Sequence, residues 1–494
     1  MGRGVDAGAG GVMPIQKFAG YAPDADPTTP GVIVDCAMME PSVRGMKAAP
    51  SASGTGLPAL AATCKGAALM TRLDGTKRLF AGTQTAIYEA GSSTWNNRSS
   101  ATYVGSADGR WQFRQFGNVS IAQNGIDEPQ VSTVSAFSNI TAMPIASLIE
   151  TVSGFVMAAN ITDVSYPHAD GWWCSALYDH TNWTPSIATQ SAQGRLLDTP
   201  GAITALKAIG SDVVAFKQRS MYLGRYVGPD VIWSWQQVPG DLGAFSQYGV
   251  VSDGAALYWW GGDDFYRFDG SRPLPIGGVV RKWFARTASQ QYLYKMQGGY
   301  DKERGLVRWY FVESGDTAPE SCIVFNVKTG QWGRADRSIE AVVDFVSAAI
   351  TFDTPGILDT LLFSDTTYTQ SFDSPFWLAS SESPSVFNTA HLLQSLTGVA
   401  GSSSITSGDF GDDDGYSLLR RVRPRYSTAP ATASLTNYHK ADAGDSVTAD
   451  QTVSADDGKF DILQSARWHR VKFDWTGDTE VSGFNADMQP EGER

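Results

Sequence analysis

Short alternations of apolar and polar residues, each closed by a turn rich in Gly, Asp or Asn, run along most of this chain. Residues 203–236 show the pattern clearly, because apolar segments there are separated by the turns at residues 210–212 and 228–230. A period of two residues is typical of β-strands, and Gly, Asp and Asn suit tight turns. The segments predicted as strands in this stretch are residues 203–209, 213–216, 221–226 and 231–236.

An aromatic strand followed by a polar turn recurs between residues 65 and 380. Tyr178, Tyr222 and Tyr266 are 44 residues apart from one to the next, and a further copy contains Tyr368. A period of roughly 40 to 50 residues with several strands in each repeat is typical of a β-propeller. We therefore expect a propeller of six or seven blades over residues 61–380, with an insertion after Tyr266.

Two regions of different character flank the repeat. Residues 1–60 are rich in Gly, Ala and Pro, which predicts an extended N-terminal arm with one short strand near residues 31–36. Residues 374–388 form a Ser- and Pro-rich connection, and the alternation after it predicts a small antiparallel β-domain over residues 381–494. The segments predicted as strands in that domain are residues 418–426, 433–438, 460–463 and 468–475. The predicted fold class is all-β.

Composition supports this class and limits the function. Only 18% of the residues are charged, and the net charge of −13 disfavours a protein that clamps nucleic acid, because binding phosphates needs clustered Lys and Arg. The four cysteines have no CxxC spacing, which predicts buried thiols in a reducing cytoplasm. There is no apolar run of membrane-spanning length and no apolar secretion signal at the start, so we expect no membrane insertion.

Catalytic motifs are absent from the sequence. GxSxG, HExxH and P-loop patterns do not occur as specific signals. His168 and His180 lie near Asp170 and Asp179, but solvated loop histidines are the preferred interpretation. We therefore expect no enzyme activity, no cofactor and no metal site.

Two carbohydrate-related functions remain as alternatives. A propeller glycosidase would place two carboxylates at the mouth of its central channel. The segment Ser106-Ala-Asp-Gly-Arg-Trp111 has the residue types of a sialidase Asp box, but its Asp–Gly spacing differs and it occurs once. A hairpin turn at Asp108-Gly109 is the preferred interpretation. The many Trp residues would also permit a carbohydrate-binding propeller without catalysis.

Charged clusters in the C-terminal domain are candidate interaction sites. Residues 409–414 could hold calcium, but they lack the ligand spacing of an EF-hand, so an exposed acidic turn is the preferred interpretation. Two basic clusters contrast with the acidic background, and alternation places three arginines of the first on one strand face and Arg470 and Lys472 on another. They are either solvated faces paired with Asp or an interface for an acidic partner. The candidate interface residues are Arg420, Arg421, Arg423, Arg425, Arg467, Arg470 and Lys472.

Several loose sequence blocks are spread over most of the chain. They are GYAPDADPTTPG (residues 20–31) with PSVRG (41–45), RLFAGT (78–83), WQFRQFG (111–117) with NGIDEPQ (124–130), VVAF (213–216) with FYRFDG (265–270), and ARWHRVK (466–472). These blocks resemble the tail nozzle family of short-tailed bacteriophages, also described as tail tubular protein B or packaged-DNA stabilisation proteins.

The resemblance implies a structural virion protein, made in the host cytoplasm and located in the tail. It implies a homohexameric ring below the portal and an adaptor ring, in contact with tail fibres, spikes or a needle, through which double-stranded DNA leaves without specific binding. An acidic channel wall fits this role, because it repels phosphate. We also expect the arm and the C-terminal domain to contact neighbouring chains.

Overall fold

Antiparallel strands account for most of the computed structural model, which describes residues 15–346, 382–442 and 444–492. Within these ranges there is one α-helix, Arg281–Thr287, and one 3-10 helix, Gln290–Lys295. Both helices lie in the insertion that was expected after Tyr266. The prediction of an all-β chain is confirmed, whereas the aromatic motif at Tyr368 lies outside the described residues.

Seven groups of four antiparallel strands follow one another in the described part of the chain, and we number them units 1 to 7. Unit 1 contains Ala67–Thr71, Lys77–Gly82, Ile87–Ala90 and Trp95–Asn97. Unit 2 contains Gln112–Phe116, Val119–Gln123, Gln130–Ser132 and Ser138–Asn139. Unit 3 contains Ala146–Val152, Phe155–Ile161, Gly171–Cys174 and Ala192–Arg195.

The next units repeat this arrangement. Unit 4 contains Ala205–Ile209, Asp212–Phe216, Met221–Gly228 and Ile232–Val238. Unit 5 contains Val251–Ser252, Leu257–Trp260, Phe265–Phe268 and Leu274–Pro275. Unit 6 contains Gln297–Asp301, Leu306–Phe311, Ser321–Asn326 and Trp332–Arg334. Unit 7 contains Ala341–Val346, Glu382–Phe387, Leu393–Gly398 and Ser51–Gly54.

Neighbouring units pack on each other through separate hydrophobic clusters. Between units 4 and 5, for example, the rings of Phe216 and Trp259 are 5.1 Å apart. The first strands of units 7 and 1 also contact each other, and the ring of Phe387 lies 5.8 Å from that of Trp95. The succession of units therefore returns to its starting point, and packing buries both faces of most strands.

Unit 7 is assembled from distant parts of the chain. Its outer strand, Ser51–Gly54, pairs with Leu393–Gly398, and Glu382–Phe387 pairs with Ala341–Val346. Strand pairing thus runs across the predicted domain boundary at residue 380 and through the predicted Ser/Pro connection. Pro384 is tolerated in this strand because pairing with Leu393–Gly398 begins only at Ser385.

The N-terminal region is part of the sheets. Residues 15–54 contribute five strands, where the sequence predicted an arm with one strand, because strands of two to five residues between Gly and Pro give little alternation. Sheet A contains Gln16–Lys17, Met39–Ser42, Gly45–Ala48, Tyr416–Thr428, Phe460–Ala466 and Glu480–Gly492, and it continues into unit 6. Sheet B contains Ile33–Ala37, Ser402–Ser407, Phe410–Gly411, Thr432–Lys440, Thr448–Ser454 and Trp468–Thr476.

Sheets A and B pack face to face around an aromatic core, and we call this part the sandwich. The ring of Phe473 in sheet B lies 5.5 Å from that of Phe484 and 6.1 Å from that of Phe460 in sheet A. Phe18, which follows the first strand, closes the same core at 6.5 Å from Phe473. The N-terminal strands therefore belong to the same hydrophobic core as the C-terminal domain.

A buried ionic network joins the sandwich to unit 6. Arg308 donates to Glu40 Oε1 at 2.8 Å and to Asp301 Oδ2 at 3.2 Å, and Arg304 donates to Glu40 Oε2 at 3.0 Å. The Arg308, Glu40 and Asp301 side chains are each less than 5% exposed. Burial by itself lowers the pKa of Arg308, but the Glu40 and Asp301 carboxylates outweigh it and raise that pKa.

Two further predictions from the sequence concern the cysteines and membrane-spanning segments. All four cysteines are buried and free, as the sequence predicted. Neither of the two described helices is long and apolar enough to cross a lipid bilayer.

Candidate interaction surface

The seven basic residues singled out from the sequence lie on both sheets of the sandwich. Arg420, Arg421, Arg423 and Arg425 belong to Tyr416–Thr428 in sheet A, whereas Arg470 and Lys472 belong to Trp468–Thr476 in sheet B. Alternation along each strand points the basic side chains away from the core between buried residues. The predicted faces are therefore present, but they do not form one patch.

Four of these residues are ion-paired within the chain. Each of them contacts an Asp of the sandwich at 2.6 to 2.9 Å. The pairs are Arg421–Asp461, Arg467–Asp442, Arg470–Asp409 and Lys472–Asp474. The hydrogen bond that Lys472 donates to Asp474 is the main reason that the pKa of Lys472 is raised. For these four, pairing with Asp is the interpretation that the contacts favour.

In the acidic turn that was considered for calcium, some carboxylates already accept hydrogen bonds from side chains of the same chain. Asp409 is buried and accepts hydrogen bonds from Arg470 Nε at 2.7 Å and Lys440 Nζ at 2.7 Å. Asp413 accepts from Trp468 Nε1 at 2.7 Å. Over the described ranges, no group of three His, Cys, Asp or Glu side chains is arranged to hold a metal ion.

Arg423 and Arg425 differ from the paired residues. Both are exposed, and neither has an ion pair among the described residues. Strand pairing places Arg425 opposite Gly483, and Gly483 opposite Lys17, so that the two cations lie in one row across sheet A. Lys17 is exposed too, and the structure shows no ion pair for it either. We call Lys17, Arg423 and Arg425 the basic face.

Arg420 lies at the far end of the same strand. A register shift between Leu419 and Arg421 places it at a β-bulge, where it is exposed and has no ion pair with any described residue. A bulge turns two successive residues toward the same side, so Arg420 extends the positive potential next to the Arg421–Asp461 pair.

The basic face is electrostatically unfavourable in the isolated chain. Side chains two residues apart on one strand face, such as Arg423 and Arg425, are about 7 Å apart. Two like charges at that distance repel each other by roughly 0.5 kcal/mol in water. An acidic surface placed against the basic face would offset this repulsion with attraction. A second copy of the chain could supply such a surface, because the net charge of the chain is −13.

An acidic edge lies on the other sheet of the sandwich. Thr448–Ser454 is the edge strand of sheet B, six of its seven residues are exposed, and no described strand pairs with its outer side. The exposed carboxylates on and beside it belong to Asp445, Asp450, Asp456 and Asp457. We call these four residues and the strand the acidic edge. Unpaired edge strands of this length are templates for another strand or surface.

Other candidates from the sequence have ordinary structural roles. The ring of His168 packs against that of Tyr166 at 4.3 Å, and that of His180 against Phe116 at 5.9 Å. Burial lowers the pKa of His180. These contacts fit histidines held by packing rather than a metal or acid–base pair.

The segment similar to an Asp box is also structural. It connects units 1 and 2, so the predicted hairpin turn at Asp108-Gly109 is wrong, because the strands on either side belong to different sheets. Trp111 at its end is buried, and Asp108 lies 3.6 Å from Lys295 Nζ. Among the described residues no Trp is more than partly exposed, so none presents a fully open ring to a sugar.

Sequence reasoning missed Lys17 as a member of the basic face. It is some 400 residues from Arg425 in the chain and follows no basic run. Only the pairing of Gln16–Lys17 with Glu480–Gly492 brings it there, and a two-residue strand has no alternation to detect.

Comparisons with known proteins add no family. No family model matches the chain, and no curated protein matches it. One similar solved structure is a chain from the Saccharomyces cerevisiae complex of Dbp5 with Nup159, Gle1, IP6 and ADP, at a TM-score of 0.31 and 9% identity. The match covers 50% of this chain and 72% of that one. A likeness this weak carries no argument about fold or function.

Proposed function

We propose that this chain is a structural component of a short-tailed phage virion, and that it forms the homohexameric tail nozzle ring through which genomic DNA is retained and then ejected. In this role it joins the adaptor and portal to the distal tail parts and catalyses no reaction. The sequence blocks that resemble the nozzle family support the proposal, and so does the all-β architecture.

In this proposal the seven units form a seven-bladed propeller. Three observations support that arrangement: each unit has four antiparallel strands, successive units pack on each other, and the last unit contacts the first. The outer strand of unit 7 comes from Ser51–Gly54, so the two ends of the repeat are joined by hydrogen bonds. Such closure leaves only short edges exposed.

The axis of one propeller is closed to DNA in this proposal. Arg110 Nη2, at the start of unit 2, donates to Gln297 Oε1 of unit 6 at 2.8 Å and to the Glu340 carbonyl at 2.7 Å. Tyr248, before unit 5, donates to the Trp111 carbonyl at 2.8 Å. These side chains connect non-neighbouring units across the centre. DNA would therefore pass through the channel that six subunits surround, for which we expect an acidic wall.

The basic face and the acidic edge together are the observation on which the proposal rests. A closed ring of identical chains needs a heterologous interface, in which two different and complementary surfaces of each chain meet. The sandwich carries a positively charged surface, the basic face on sheet A, and a negatively charged surface, the acidic edge on sheet B. Opposite charges of this kind set the register of subunits and speed their association.

The experiment measures assembly of the purified full chain by light scattering and negative-stain imaging, alone and with an adaptor ring. We expect a six-fold ring, and its loss when Arg423→Glu and Arg425→Glu are combined, with self-association weakened about tenfold or more. Adding Asp456→Lys and Asp457→Lys in the same chain should restore assembly. The matched control is Arg219→Glu, which reverses an exposed charge on unit 4.

The outcomes test the nozzle proposal and the role of the basic face separately. A wild-type chain that stays monomeric with every adaptor contradicts the nozzle proposal, and a monomer that releases reducing sugar from host polysaccharide supports the glycan-acting alternative. If the variant with both Arg423→Glu and Arg425→Glu still forms a six-fold ring, the nozzle proposal stands, but another surface joins the subunits.

A further inference from the structure

The outer strand of unit 4 is a long free edge. Ile232–Val238 has seven residues, whereas the outer strands of the other six units have two to four. Its inner side pairs with Met221–Gly228, but no described strand pairs with its outer side. The backbone N–H and C=O groups on that side therefore have no strand partner among the described residues. A long unpaired edge is a template for the addition of another strand.

This edge lacks the features that usually protect a free strand. Its sequence, IWSWQQV, contains no charged residue, no Pro and no Gly. By contrast, the outer strand of unit 3 contains Arg195, that of unit 5 contains Pro275, and that of unit 6 pairs with Met39. A register shift and a φ of 66° at Ile232 distort only the turn end of the hairpin. The rest, Trp233–Val238, pairs regularly with the third strand and is open on its other side.

Exposed side chains surround the open edge. Ser234, Gln236 and Gln237 are exposed along the strand itself. At the turn of the same hairpin, Val227 is 54% exposed and Val231 is 63% exposed. Another strand placed here would find unpaired backbone groups to bond and apolar side chains to cover.

The strand is complementary to a second copy of itself. If two copies pair antiparallel about Trp235, Ser234 of each copy faces Gln236 of the other. Hydroxyl and amide groups that meet in this way can hydrogen-bond. Trp235 then faces Trp235 of the second copy, and aromatic pairs across two strands are favourable. Like charges do not oppose each other anywhere along the pairing, because the strand contains none.

We propose that Ile232–Val238 is a strand-addition surface at which two copies of the chain pair edge to edge, antiparallel and centred on Trp235. Such an interface is isologous, because both copies use the same surface. It lies on unit 4, whereas the basic face and the acidic edge lie on the sandwich. The pairing therefore goes beyond the nozzle function and does not depend on ring assembly. It is weak and reversible, because each copy contributes one strand.

The test is disulfide trapping between full-length chains, which reports the contact whether or not a ring is present. The four native cysteines are buried, so introduced thiols are the accessible ones. Residues directly opposite each other have Cβ atoms about 5 Å apart, whereas diagonal neighbours are about 7 to 8 Å apart, too far for a disulfide. Mixing a Ser234→Cys chain with a Gln236→Cys chain under oxidation should therefore give roughly fivefold more dimer on a non-reducing gel than either chain alone. The matched control mixes Ser234→Cys with Gln193→Cys, on the outer strand of unit 3.

Charge variants test the same register by sedimentation equilibrium. Ser234→Lys combined with Gln236→Lys places lysines opposite each other and should weaken the association of two copies about tenfold or more. Ser234→Glu combined with Gln236→Lys places opposite charges there and should restore it. Gln193→Lys is the matched control and should leave association unchanged. Equal trapping in the mixture and in the separate chains, or equal weakening by both charge variants, would overturn the proposal.

Discussion

The basic face and the buried network around Arg308 both hold cations in a chain whose overall charge is negative, but only the network pairs them with carboxylates. They differ in access. Lys17, Arg423 and Arg425 stand on the exposed outer side of sheet A, whereas Arg308 is only 3% exposed and lies between sheet A and unit 6. An exposed set of unpaired charges can meet another protein surface, whereas a buried and paired set binds only groups of its own chain. Similar chemistry therefore serves different partners because of where the sheets place it.

The largest effect is expected in the buried network, where Arg308 is paired with two carboxylates. Arg308→Met leaves Glu40 and Asp301 buried with their main partner gone, and should lower the free energy of unfolding by about 3 to 5 kcal/mol. Urea unfolding measures this loss. Arg423→Met is the comparison, because it removes an exposed cation that has no ion pair with a described residue, and it should change stability by about 1 kcal/mol at most. Equal losses in the two variants would show that pairing does not separate the two kinds of site.

A smaller effect, dependent on pH, is expected in the sandwich. His469 is buried beside Phe410 and Ser417, and burial lowers its pKa from 6.5 to about 4. The unfolded chain therefore binds a proton at a higher pH than the folded chain does. Stability from this group is complete above pH 6.5 and is lost as the pH falls toward 4, by about 3 kcal/mol in all and about 2 kcal/mol by pH 5.

Hydrogen exchange of the sandwich amides at pH 7 and pH 5 measures this loss. His469→Gln should flatten the difference, because glutamine does not titrate. An equal loss of protection in the variant would assign the pH dependence to other groups.

The smallest effect is expected in unit 7, with the opposite sign. Burial, together with repulsion from Glu382, raises the pKa of Asp344 from 3.8 to about 6. The folded chain then holds a proton that the unfolded chain has released, so stability is greatest near pH 4 and falls as the pH rises to 6. Asp344→Asn should therefore stabilise the chain by about 1 to 2 kcal/mol at pH 7.

Urea unfolding of Asp344→Asn at pH 4 and pH 7 checks this prediction. The stabilisation should be present at pH 7 and absent at pH 4. A variant that is less stable than the wild type at pH 7 would contradict the raised pKa and weaken the contrast between unit 7 and the sandwich.

Sequence patterns were sufficient for local structure and insufficient for long-range pairing. The four strands of unit 4 and the four strands predicted in the C-terminal domain were placed within a few residues, because alternation and turn residues are local properties, but the long strand Glu480–Gly492 was missed. The strand Glu382–Phe387 was missed because Ser and Pro conceal its pairing with Ala341–Val346. That pairing depends on residues that lie far apart in the chain.

The candidate sites show the same division. The shared face of Arg423 and Arg425 followed from a period of two residues. The row that joins Arg425 to Lys17 depends on pairings between distant segments and has no local pattern. Arg470 and Lys472 were placed correctly on one strand face, but that face belongs to sheet B, where both are paired with Asp.

The strand Ser51–Gly54 has a consequence for biosynthesis. It emerges from the ribosome roughly 340 residues before Leu393–Gly398, its only partner strand among the described residues. During translation this segment must stay unpaired while units 1 to 6 are made, and its open edge is available to chaperones or to wrong partners. Completion of the last unit thus requires synthesis beyond Gly398, so a nascent chain interrupted before that point would expose an unpaired, aggregation-prone strand edge.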